Sequence, residues 1–119
     1  AYTIPKENPE RDEILERALL NACKAPLKMI ECCSEIIILL EEMLAKGSRL
    51  LISDVGCGAL FCCTAMESAA LNVFVNTSSM KDRNEAVKIE CQADKILDEY
   101  RPRASEIAYQ VNKIIRKIQ

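Results

Sequence analysis

The sequence predicts an all-α fold, a bundle of long antiparallel helices around an apolar central helix, and three observations predict it. Half of the 119 residues are apolar but only 4% are aromatic, and 3 Gly with 4 Pro are too few to punctuate a small sandwich or barrel. Polar residues recur along one long stretch, and apolar residues along another, mostly at steps of three and four, which is the period of one helical face. Between Asp54 and Lys81 the only charge is Glu67, as expected of a helix covered on nearly all sides. A chain of this length makes one domain, 1–119, with a modest core.

Residues 1–7 read as polar and irregular, and Asn8 with Pro9 reads as a helix start, because Asn caps free amides and Pro is tolerated in a first turn. Glu10, Asp12 and Glu13 suit the positive end of that helix. From Glu13 the polar residues Arg17, Asn21, Lys24, Lys28, Glu31, Glu35 and Glu42 form a narrow stripe down a segment otherwise lined with aliphatic side chains and Cys. Pro26 predicts a kink or a break in it, since a proline ring collides with the carbonyl four residues back, and Gly47 predicts its end.

Residues 48–52 read as a short loop, after which Ser53 or Asp54 is placed to cap the central helix at a buried N-terminus. Its body runs towards Asn72, and the β-formers Val73, Phe74 and Val75 allow an extended piece before Asn76. A membrane span is the competing reading of this stretch, opposed by its Ser, Thr, Asn and Glu67 and by the lack of flanking basic asymmetry. After a polar turn at 77–81, Ala86, Ile89, Ala93, Ile96, Tyr100, Ala104, Ile107, Val111, Ile114 and Ile118 form one more apolar stripe. Pro102 falls inside it and predicts a kink or break, while the preserved phase has both halves packing on one surface.

Charge and chemistry narrow the function. With 16 Lys plus Arg against 18 Asp plus Glu, the formal charge of -2 gives no electrostatic reason to bind nucleic acid. The seven cysteines, with two adjacent pairs and no C-x-x-C, have the wrong spacing for a disulfide framework or a structural zinc site. They read as buried, reduced, metal-free core residues in a cytoplasmic, reducing setting, and no secretory signal is visible. With no His, proton transfer falls to Asp, Glu, Lys, Cys or Tyr. Ser53 and Asp54 are candidates for anion or substrate contact at a helix N-terminus, or else a capping pair. Asn72 and Asn76, one turn apart, are either helix-ending caps or ligand contacts. Glu67 is expected to pair with a Lys or Arg of another helix or to titrate high.

The run from Ile52 through Ser53, Asp54, Val55, Gly56, Cys57, Gly58 and Ala59 to Leu60, followed by Ala69 to Asn72 and on to Asn76, resembles the signature of the formimidoyltetrahydrofolate cyclodeaminase family, which includes methenyltetrahydrofolate cyclohydrolases. Ala25-Pro26-Leu27 and the stretch 33–41 resemble the helix that precedes the Ser-Asp segment there, so the resemblance covers most of the chain from Ile4 to about Tyr100. It extends only to the later part of the family's domain, with no counterpart of its Gly-rich N-terminal helical region, and Phe74 and Thr77 depart from the residues common at their positions.

The resemblance implies a one-carbon folate enzyme acting as a homodimer or larger assembly on a tetrahydrofolate derivative, with no other cofactor, no metal, no nucleic acid and no membrane. Asp54 is then the candidate catalytic group, and Ser53, Asn72 and Asn76 the candidate substrate-binding residues. The rival is a non-catalytic helical interaction or assembly protein in which Ser53 and Asp54 only cap.

Overall fold

A computed structural model describes residues 10–47 and 49–117, and it is all-α, with no strand among those residues. Four α-helices follow one another: α1 (Arg11–Ala22), α2 (Lys24–Lys46), α3 (Ile52–Ser78) and α4 (Arg83–Arg116), with a 3₁₀ turn at Arg49–Leu51 leading into α3. The helix start read at Asn8 and Pro9, the loop residue Ser48 and the last stripe residue Ile118 lie outside the described residues.

Proline chemistry sets the first break. Pro26 has no N–H to give the carbonyl of Ala22 and its ring would strike that oxygen, so α1 stops at Ala22. Pro26 itself sits in the first turn of α2, where neither defect matters. The polar stripe from Glu13 to Glu42 is exposed along its whole length, while Ile30, Cys33, Ser34, Ile37 and Leu40 of α2 face the core. Gly47 ends α2 in extended backbone, with its N–H on the Met43 carbonyl at 2.6 Å.

Helix α3 packs on both α2 and α4. Its run against α2 is antiparallel, with Cys23 beside Val73 and Leu40 beside Gly58. Its run against α4 is antiparallel too, with Gly56 beside Val111, Glu67 beside Arg101 and Thr77 beside Glu90. Helix α4 is capped by Asp82, whose carboxylate accepts from the Glu85 N–H at 3.1 Å. It then runs unbroken through Pro102, so neither a break nor a loss of phase occurs there: Ala86, Ile89, Ala93, Leu97, Ala104, Ile107 and Val111 are all buried. Ile96, Tyr100 and Ile114 flank that stripe half-buried.

Two expectations for α3 are corrected. It stays helical through Val73, Phe74 and Val75 to Ser78, because Val73 is fully buried and Phe74 packs on the core, and this tertiary contact overrides their β preference. It is also covered on one side only, not all round. Val55, Ala59, Met66, Ala69, Ala70 and Val73 are buried, whereas Leu60, Phe61, Leu71 and Val75 on the far side are 57–74% exposed. By length and composition α3 passes for a membrane span, and 33% of that apolar stretch is buried within the protein. The molecule is a slab of 65 × 24 × 18 Å.

Candidate functional site

The first turn of α3 is entered through the 3₁₀ turn, so the chain is already helically wound when it reaches Ile52. The N-cap position falls on Leu51, which has no side-chain acceptor, and Ser53 and Asp54 lie inside the first turn. Neither residue caps, and both are exposed, which corrects the expectation of a capping pair at a buried N-terminus. Asp54 makes no hydrogen bond or ion pair among the described residues, and its carboxylate stands where the helix dipole favours negative charge. Ser53 opens into a shallow groove of about 170 Å³ between α3 and α4, lined also by Cys57 and Leu60 and by Ala108, Asn112 and Ile115.

Asn72 and Asn76 are not helix-ending caps, because α3 continues past both. Each turns its amide back on its own helix: Asn72 donates to the Ser68 carbonyl at 3.3 Å and Asn76 to the Asn72 carbonyl at 2.9 Å. Asp54 and Asn72 are 18 residues apart, which is five whole helical turns, so they share one edge of α3 yet stand about 27 Å apart along it. The structure therefore groups the four residues as two pairs at opposite ends of one helix, and a single chain does not bring them round one reacting atom.

Glu67 is paired as expected, with Arg101 of α4 at 3.2 Å. Together with Ala70, Leu71, Phe74 and Leu97 the pair borders a second groove of about 230 Å³. Of the seven cysteines, all free, Cys23 and Cys33 are buried, Cys62 and Cys63 half-buried, and Cys32, Cys57 and Cys91 exposed, so the expectation of uniform burial fails for three. Burial pushes the thiols of Cys23, Cys33, Cys62 and Cys63 up, the opposite of what an activated nucleophile needs. Among the described residues no group of three or more His, Cys, Asp or Glu is placed to hold a metal ion.

Two features escaped the sequence. Asn112 joins Ser53 in one groove only because α4 runs back along the whole of α3, a pairing that periodicity does not specify. Thr77 is fully buried with its hydroxyl 2.6 Å from a Glu90 carboxylate oxygen, and Arg83 donates to the carbonyls of Thr77 and Met80 at 2.8 and 3.0 Å. A polar residue inside an apolar helix was the available signal, and it marks where the α3–α4 turn is locked.

Comparison with known proteins adds a family and a relative. The family model described as formiminotransferase-cyclodeaminase matches residues 1–95. A methenyltetrahydrofolate cyclohydrolase from Methylorubrum extorquens is 38% identical over 87 residues, covering 70% of this chain and 42% of its own length. The chain thus spans less than half the length of that curated relative.

Proposed function

This chain belongs to the formiminotransferase-cyclodeaminase family, and from that premise we propose that it acts in one-carbon folate chemistry on a tetrahydrofolate derivative, with no further cofactor. Hydrolysis of a methenyl bridge leads, since the cyclohydrolase relative carries that activity in its name. Ammonia-releasing ring closure on a formimidoyl group is the second reading, resting on the family's description.

In the hydrolysis, water adds to the methenyl carbon and loses a proton, and the tetrahedral intermediate then collapses: its hydroxyl proton leaves as the formyl C=O forms, one C–N bond breaks, and the departing nitrogen takes a proton up. Asp54 is the group assigned to proton exchange, and Ser53, Asn72 and Asn76 are assigned to substrate positioning. The observation that carries this is the free state of Asp54: it is exposed and unpaired in the first turn of α3, and the capping that would have explained it falls elsewhere. The two-ended distribution of the four residues, with the exposed Leu60, Phe61, Leu71 and Val75 between them, favours action as a homodimer or larger assembly.

Asp54→Asn tests the assignment. It keeps the shape and removes the charge and the exchangeable proton. Stability should fall by no more than about 1 kcal/mol, the loss of one carboxylate at a helix N-terminus, while folate turnover should drop on the order of 100-fold or more. Full turnover in the variant would remove Asp54 from the chemistry. Absence of any folate interaction in the wild-type chain would favour the non-catalytic assembly role.

A further inference from the structure

The seam between α2 and α3 carries two cysteines that face each other. The antiparallel register is pinned at both ends, by the Cys23 thiol 3.9 Å from the Val73 carbonyl and by Gly58, where a Cβ would come within 3.2 Å of the Leu40 side chain. Between those points the register brings Cys33 opposite the turn bearing Cys62, and both side chains pack on the same core there, Cys33 as part of it and Cys62 against it. Cys33 is 8% exposed and Cys62 half-buried. Of their sequence neighbours, Cys32 is exposed, and Cys63, half-buried, lies within the field of Glu67 and Arg101.

We propose that Cys33 and Cys62 form a redox-modification site, a dithiol that exchanges with a low-molecular-weight disulfide and thereby staples α2 to α3. Cys62, the more accessible of the two, attacks one sulfur of the small disulfide as a thiolate. That S–S bond breaks, a mixed disulfide forms on Cys62, and the departing small thiolate takes up a proton. Cys33, as a thiolate, then attacks the Cys62 sulfur and expels the second half as another thiol. The protein gives up two electrons and two protons, and the small disulfide is reduced to two thiols. Burial holds both thiols above their ordinary range, so the exchange runs slowly near neutrality.

The test incubates the full chain with oxidised glutathione, followed by intact mass, peptide mapping without reductant, and thermal unfolding. The expected product has lost about 2 Da, carries a 33–62 cross-link, and melts at least about 5 °C above the reduced chain, with dithiothreitol restoring the starting values. Cys63→Ser should keep the link and Cys62→Ser abolish it. The mapping on the wild type decides the matter even where a variant folds poorly. Glutathione adducts that persist without a cross-link, a link through Cys32, Cys57 or Cys91, or no reaction in the folded chain would each overturn the proposal.

Discussion

Glu41 and Arg103 meet where α2 and α4 touch, through a two-pronged contact in which the Arg103 Nε donates at 2.9 Å and a second guanidinium nitrogen donates to the other carboxylate oxygen. The Arg103 guanidinium lies over the Tyr100 ring at 4.5 Å, which fixes the fork in place. This hydrogen-bonded contact holds the Glu41 carboxyl below the usual carboxylate range, despite an opposing desolvation. A depressed folded-state pKa stabilises the fold above the unfolded-state value and ceases to do so as pH falls through the folded one. Both side chains are about a third exposed, so solvent screening limits the pair to about 1 kcal/mol. Glu41→Gln should therefore lower stability by that much at pH 7 in urea unfolding, and the difference from wild type should close below the usual glutamate range. A gap that persists unchanged at low pH would show that packing, not charge, holds the contact. The sequence announced Glu67 as a paired acid because it stands alone on an apolar helix. Glu41 gave no such sign, since it lies beside Glu42 at the edge of a charged stripe.

At the level of the element, the two glycines of α3 do different work. A Cβ on Gly56 would come 2.8 Å from Val111 Cγ1 and 3.2 Å from its Cβ, a short β-branched side chain with no slack. On Gly58 it would meet only the ends of the flexible Leu40 side chain, at 3.2 and 3.3 Å. Replacing a mid-helix glycine by alanine gains about 1 kcal/mol of helix propensity in either case. Gly58→Ala should thus come out neutral or slightly stabilising, whereas Gly56→Ala should cost about 1–3 kcal/mol through overpacking and be relieved by Val111→Ala. Equal effects at the two positions would disprove this account of the helix contacts. The helices were legible because their apolar periodicity reports burial directly, and Pro26 marked the break since Ala22 stands four residues before it. Capping was not legible at Ser53 and Asp54, because the 3₁₀ turn that shifts the cap to Leu51 has no distinctive residue. Nor was the open side of α3, since an uncharged helix reads alike whether its partners come from its own chain or not.

Taken as a whole, the slab hides one side of α3 and presents the other, where Leu60, Phe61, Leu71 and Val75 are exposed, while Met29, Leu39 and Met43 are exposed on α2. Apolar side chains in this number and arrangement drive association. The chain should sediment at micromolar concentration as a dimer or larger species, and Phe61→Ser should shift it towards monomer. A monodisperse, folded wild-type monomer would refute this. The candidate residues were found in the sequence through the Ser-Asp and Asn runs, but their separation into two ends of one helix was not, because a linear motif carries no information on whether its parts meet in space. The central claim, that this chain takes a folate, is tested most directly by titrating it with 5,10-methenyltetrahydrofolate and following binding together with formation of the formyl product. The account predicts saturable binding in the range of roughly 1 μM to 1 mM typical of enzyme substrates, with product formation largely lost in Asp54→Asn without loss of folding. No binding within that range, or turnover indifferent to Asp54, would contradict it.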